Sequence, residues 1–316
     1  MSDLPGGVVA PLATPLTEME TLDAPALRQL VQHQVQAGAD ALFVLGSCGE
    51  GPLLLEDMSI QVIRTAVETA GGATPVYAGA SDNSVVRVLD RIGWLADEGA
   101  AAAVLTLPYY AWNGDQDCAT EFFVRTADRS PLPIIAYNLP RVTGSSLTLA
   151  TVKVLAKHPN VIALKDTRDD YEGMRAVAAC PERQGRLSHL IGNSSLAGRL
   201  MRDGADGIVS TLGNCYPHLV EQLWQSHLRG EEEMVEKCTK ILTDLSPIMS
   251  LPTTPGGIKC ALELRGLGRA VTVRPWPMPK PVHRLKIGEL MRKADAALAE
   301  LGIPAWDPEC SQATAG

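Results

Sequence analysis

The chain has 316 residues, 46% of them hydrophobic and 20% charged, with a formal net charge of −8 at pH 7. Such a composition is globular, long enough to bury roughly three quarters of the unfolded surface, and it excludes a short disulfide scaffold or a disordered tail. The acidic balance, with no Lys/Arg run longer than two residues, gives no footprint for a phosphate backbone and excludes nucleic acid as a partner.

The longest apolar stretches, such as Ala100 to Leu107, fall far short of the roughly 20 residues that cross a bilayer, so no membrane partner is expected. The opening Met1-Ser2-Asp3-Leu4-Pro5-Gly6-Gly7 has neither the basic nor the apolar region of a secretory signal, which makes the cytoplasm the expected compartment. The cysteines (Cys48, Cys118, Cys180, Cys215, Cys238, Cys260 and Cys310) form no C-x-x-C pair, and the histidines show no H-x-x-x-H spacing. Reduced thiols and no metal site follow from that pattern.

In chain order, short apolar runs alternate with helical patterns. Strands are predicted at 8–10, 41–45, 76–80, 102–106, 134–137, 161–165, 187–191 and 207–210. Between them the 3.6-residue period places Leu27, Leu30, Val31 and Val35 on one helical face and Val85, Val88, Leu89, Ile92 and Leu95 on another. Further helices are predicted at 56–70, 117–129, 147–157 and 196–202. Three junctions repeat one device: Gly38, Gly99 and Gly204 each follow a helical pattern and precede a buried strand, as a helix-ending glycine in the left-handed conformation would. Eight such units predict parallel strands in an α/β (β/α)8 TIM barrel. The competing doubly wound sheet lacks its G-x-G-x-x-G turn. After residue 210 only helices are predicted, at 217–229, 231–251, 255–267 and 283–301. They divide the chain into a catalytic barrel, 1–229, and a C-terminal helical extension, 230–316. Pro275, Pro277, Pro279 and Pro281 mark a non-helical surface crossing before the last helix.

Barrel enzymes carry their chemistry at the C-terminal ends of the strands. At the sixth strand end, Val161-Ile162-Ala163-Leu164-Lys165-Asp166-Thr167 gives Lys165 the parity of Val161 and Ala163 and points it into the barrel mouth. The competing reading is a lysine paired with a nearby carboxylate. An amine attacks a ketone only when neutral, and an unperturbed one is so in on the order of one molecule in a thousand at pH 7; a Schiff-base role therefore requires a desolvated mouth. Tyr137, at the corresponding position of the fifth strand, is placed to shuttle protons, or else simply packs with its hydroxyl bonded. Gly46-Ser47-Cys48-Gly49-Glu50-Gly51 after the second strand is a glycine-rich turn able to hold a small anion such as a carboxylate on its N–H groups.

These residues, with Pro108-Tyr109-Tyr110, Tyr137-Asn138-Leu139-Pro140, Thr143-Gly144 and Leu164-Lys165-Asp166-Thr167 in that order, resemble the dihydrodipicolinate synthase/N-acetylneuraminate lyase family of class I, pyruvate-dependent aldolases. The match spans nearly the whole chain. The resemblance implies that Lys165 forms a Schiff base with pyruvate or another 2-oxo acid, that Tyr137 is the proton shuttle, and that Ser47 links it to Tyr110 reaching over from a neighbouring subunit. It further implies carboxylate binding by the N–H groups of Ser47 and Cys48, a homotetramer or dimer, and no organic cofactor or catalytic metal.

Two departures bear on the substrate. In dihydrodipicolinate synthases an arginine five residues after the tyrosine binds the aldehyde's carboxylate; here Val142 holds that position, with Arg141 beside it. N-acetylneuraminate lyases carry an acidic pair after the glycine that follows the seventh strand, whereas Gly192 is followed by Asn193, Ser194 and Ser195. With Thr167 and Ser210, these neutral groups favour a 2-keto-3-deoxy sugar acid or related hydroxy 2-oxo acid as the substrate of a C–C lyase. The alternatives are a dihydrodipicolinate synthase-type, dehydratase or deaminase member, and, in another class, a non-catalytic 2-oxo-acid-binding barrel.

Overall fold

The computed structural model describes residues 4–110 and 112–306. Cys310 and the first three residues of the N-terminal stretch read above lie outside the described residues. Eight strands close into a parallel barrel: β1 (Gly7–Pro11), β2 (Ala41–Val44), β3 (Val76–Gly79), β4 (Ala102–Thr106), β5 (Ile134–Asn138), β6 (Val161–Asp166), β7 (Ser188–Ile191) and β8 (Gly207–Ile208). Each pairs with the next, and β1 completes the ring on β8 through Gly7 opposite Gly207 and Val8 opposite Ile208.

The predicted helical faces are the buried ones. In α1 (Ala24–Gln36), Leu27, Leu30 and Val31 are buried; α2 spans Glu56–Ala70; in α3 (Val85–Asp97), Val88, Ile92 and Leu95 are buried. There follow α4 (Gln116–Arg129), the one-turn α5 (Pro140–Thr143), α6 (Leu149–Leu155), α7 (Tyr171–Ala178) and α8 (Ala197–Arg202). The repeated glycine behaves as its position demands, with φ of +95° at Gly38, +86° at Gly99 and +96° at Gly204, a region that costs a side-chain-bearing residue more.

Two cores result. The larger lies between strands and helices, while a smaller one fills the barrel with Val9, Phe43, Tyr77, Val104, Ile135, Tyr137, Ala163, Leu190 and Val209. One parity expectation is corrected here. Val161 belongs to the outer core because the β5–β6 register shifts between Ile134, opposite Val161, and Ile135, opposite Ala163. A bulge of this kind inserts a residue and reverses the alternation. From Ala163 onward the alternation holds, and Lys165 faces inward.

Beyond β8 come α9 (Pro217–Leu228), α10 (Glu232–Leu245), α11 (Thr254–Leu264) and α12 (Pro281–Glu300). The helix predicted over 231–251 ends early: after Leu245 the chain tightens into a 3₁₀ turn, Ser246–Ser250, at Pro247, which has no N–H to continue the ladder. Pro281, read as non-helical, is instead the first residue of α12, where the missing N–H costs nothing. No helix among the described residues is long and apolar enough to cross a membrane.

Candidate active site

A cavity of 440 Å³ opens at the C-terminal ends of the strands, and Lys165 and Tyr137 stand together in its wall. They are register partners on β6 and β5, so both side chains leave the sheet on the same face at the same height. Lys165 is 6% exposed. Its Nζ lies 3.9 Å from the Tyr137 ring centroid and 4.6 Å from that of Phe43 on β2, within cation–π reach of both. Among the described residues no carboxylate pairs with it, so the ion-paired reading of this lysine does not hold.

The strand ends that carry the pair are tied together from behind. Asn138 donates from Nδ2 to Asp166 Oδ1 at 3.1 Å, and its own Oδ1 accepts from the Leu147 N–H at 3.0 Å. Asp166 is fully buried and points away from the barrel, as its parity requires. Its Oδ2 accepts from Arg168 Nε at 2.9 Å and Nη2 at 2.7 Å, and stands 3.8 Å from His189 Nε2. Burial works to raise the Asp166 carboxyl, but the His189 ring and the Arg168 charge outweigh it and hold it below the usual carboxylate range. A carboxylate depressed in the fold contributes stability present above its unfolded value, about pH 4, and lost as pH falls through the folded one. Asp166→Asn should accordingly lower unfolding free energy by about 3–5 kcal/mol at pH 7, since Arg168 loses its buried partner. Urea titrations should also show a flatter stability profile below pH 4 than wild type; equal stability of the two proteins at pH 7 would contradict this account of the β5–β6 tie.

The turn after β2 closes the opposite wall. Leu45 and Glu50 take the left-handed conformation at φ 58° and 57°, reversing the chain so that Gly46, Ser47, Cys48 and Gly49 all line the cavity. Among the described residues the N–H groups of Ser47 and Cys48 have no protein partner, which leaves two donors for an anion. The Cys48 thiol is buried, and burial pushes it up to about 12 against the opposing charge of Lys259, so at neutral pH it is an uncharged thiol that does not repel a carboxylate. Ser47 and Tyr137 both face the cavity, with no hydrogen bond between them among the described residues.

The other candidates divide. Thr167, Gly192, Asn193, Ser194, Ser195, Arg141 and Val142 line the same cavity. Gly192 packs so closely on Thr167 that a Cβ there would lie 2.0 Å from Thr167 Cγ2. Ser210, expected to contact substrate, is 1% exposed and is not among the residues lining the cavity, its Oγ lying 2.9 Å from that of the cavity-lining Ser194. Tyr110 is 80% exposed and outside the cavity wall, while its N–H and that of Tyr109 both donate to Asn83 Oδ1, at 2.8 and 2.9 Å.

Sequence reasoning missed Arg168 and Asp169, directly after the Lys165 motif, and Ser246, Met249 and Thr254, which the C-terminal helices bring to the cavity. The first two were within reach of an argument from adjacency. The last three carry no local signal, because their position depends on how the helical region folds back over the barrel.

The family model described as the dihydrodipicolinate synthetase family matches residues 4–294. A 4-hydroxy-tetrahydrodipicolinate synthase of Exiguobacterium sibiricum is 33% identical over 265 residues, covering 83% of this chain and 88% of that one. One of Sorangium cellulosum is 32% identical over 303 residues, covering 94% and 98%. Among solved structures, a prophage protein of the dihydrodipicolinic acid synthase family from E. coli K12, in complex with pyruvate, superposes with a TM-score of 0.86 at 26% identity, covering 93% of this chain and 99% of that one.

Proposed function

The chain belongs to the dihydrodipicolinate synthetase family of pyruvate-dependent, Schiff-base-forming lyases, and from that premise we propose that Lys165 is its Schiff-base lysine and Tyr137 its proton shuttle. The observation that carries the assignment is the buried Lys165 side chain, its Nζ seated on the Tyr137 and Phe43 rings without a carboxylate and able to react there as the neutral amine. Lys165 Nζ adds to C2 of pyruvate; the carbinolamine loses water to give an iminium, and a C3 proton leaves to form the enamine. The enamine carbon adds to an aldehyde carbonyl, whose oxygen takes a proton, and water or an internal amine then releases the lysine. Tyr137, whose ring lies against Nζ, is placed to carry these protons. The donors of Ser47 and Cys48 hold the pyruvyl carboxylate. Tyr110, exposed on its loop, completes the site of a second copy in a homo-oligomer.

For the second substrate, the synthase reading takes precedence over the sugar-acid reading that the sequence put first. Curated relatives carry the name 4-hydroxy-tetrahydrodipicolinate synthase, and Arg141 lines the cavity beside Val142, offering a cation for an aldehyde that bears a carboxylate. The neutral wall of Thr167, Asn193, Ser194 and Ser195 favours the 2-keto-3-deoxy sugar acid as a second reading. Product analysis separates them. With pyruvate and aspartate semialdehyde the protein is expected to form the condensation product, and Arg141→Ala should raise the semialdehyde KM about tenfold, ~1.4 kcal/mol of binding, with the pyruvate KM unchanged. Cleavage of a 2-keto-3-deoxy sugar acid without condensation of the semialdehyde would reverse the order.

A further inference from the structure

Glu50, the one acidic residue of the Gly46–Gly51 turn, takes no part in the chemistry above, yet it is 2% exposed and ion-paired to Lys259 of α11, itself 1% exposed. Glu50 Oε2 accepts the N–H of Val273 at 2.7 Å, and Lys259 Nζ donates to the Val271 carbonyl at 2.7 Å. The same pair of side chains thus grips three pieces of chain: the Gly46–Gly51 turn, α11, and the strap that runs from Val271 toward Trp276. Thr272, 1% exposed, closes the strap by donating to the Trp276 carbonyl at 3.1 Å. Burial holds the Lys259 ammonium below the ordinary lysine range, opposed by the charge and hydrogen bond of Glu50. Lys259 is also the strongest charge acting on the Cys48 thiol, with Glu50 opposing it, so its field reaches the turn whose residues Ser47 and Cys48 line the cavity.

We propose that Glu50 and Lys259 are positioning residues for the carboxylate of the 2-oxo acid, Glu50 fixing the Gly46–Gly51 turn through its bond to the strap and Lys259 adding positive potential behind the donors of Ser47 and Cys48. This rests on the reading of that turn as the pyruvyl-carboxylate site. A buried ion pair is weak support for stability when an apolar pair of similar volume would do. Here Glu50 sits one residue beyond the cavity-lining part of the turn, in the left-handed conformation that sets the turn's geometry, and such placement serves orientation. The electrostatic part is specific to an anionic ligand: an ammonium held in low dielectric favours a carboxylate in front of it and does little for a neutral aldehyde.

The test uses the full chain and two near-isosteric variants, Glu50→Gln and Lys259→Met, with borohydride trapping of pyruvate followed by intact mass as the reading of Schiff-base occupancy. In variants folded by circular dichroism, the pyruvate concentration giving half-maximal trapping should rise about tenfold, with kcat within threefold of wild type and the aldehyde KM within twofold. The double variant should be no worse than the worse single one, because the two side chains act as a unit. Should Lys259→Met fail to fold, Glu50→Gln decides alone. Unchanged pyruvate dependence in folded Glu50→Gln, with only a lowered melting temperature, would reduce the pair to a structural element. Absence of any adduct in wild-type protein would instead remove the Schiff-base reading itself, and the positioning role with it.

Discussion

Lys165→Ala is expected to lower kcat for the pyruvate-dependent reaction by about 10⁴-fold or more, equivalent to ~5.5 kcal/mol of barrier, while leaving the barrel folded. Without Nζ there is no iminium to accept the electron pair that leaves C3, and no remaining cavity residue substitutes for an amine nucleophile. Lys165→Arg separates nucleophile from charge. A guanidinium keeps the cation over the Tyr137 and Phe43 rings but does not deprotonate in proteins, so it should be as inactive as alanine. Kinetics of both variants beside wild type, with near-ultraviolet circular dichroism as the control for folding, make the comparison. Activity within tenfold of wild type in Lys165→Arg would assign the lysine an electrostatic role only.

The second large effect falls on a glycine. A Cβ added to Gly51 would lie 2.0 Å from the Leu45 carbonyl oxygen, and one added to Gly79 at the end of β3 would lie 2.1 Å from the same oxygen. Leu45 is already in the left-handed region at φ 58°, held there between two residues without side chains. Both obstacles are backbone, so neither can swing away, and relief requires moving the turn that carries Ser47 and Cys48. Gly51→Ala should therefore cost about 3 kcal/mol or more, a fall in melting temperature of roughly 5–10 °C, together with a raised KM for pyruvate. Gly79→Ala should reproduce both effects from the opposite side of the oxygen. A Gly51→Ala protein with wild-type melting and pyruvate dependence would show that the turn accommodates the methyl group and that its shape is less constrained than the contact distances require.

Much of this architecture is legible in the sequence for definite reasons. The eight strands announce themselves because both faces of each are buried, so apolar runs such as Ala102 to Thr106 are continuous. The helices announce themselves because only one face is, as at Val88, Ile92 and Leu95. Lys165 stands out because a charged residue ends such an apolar run at the catalytic end of a strand. The bulge that removes Val161 from the barrel interior left no mark, since apolar residues line both sides of the sheet there and either register satisfies them. The contributions of Ser246, Met249 and Thr254 were equally silent, because nothing in a helix's own period says which strand ends it will overhang. The strand predicted to reach Ser210 ends at Ile208, and Ser210 instead opens a 3₁₀ turn, its Oγ 2.9 Å from that of Ser194. The partnership of Glu50 with Lys259 joins residues far apart in the chain, and neither side chain alone hints at the other.

Reduction with borohydride in the presence of pyruvate, followed by peptide mass spectrometry, reads directly whether Lys165 is the residue that forms the Schiff base. A pyruvyl adduct on the peptide containing Lys165, absent from Lys165→Ala, is the predicted result. An adduct on another lysine, or none in the folded wild-type protein, would contradict it.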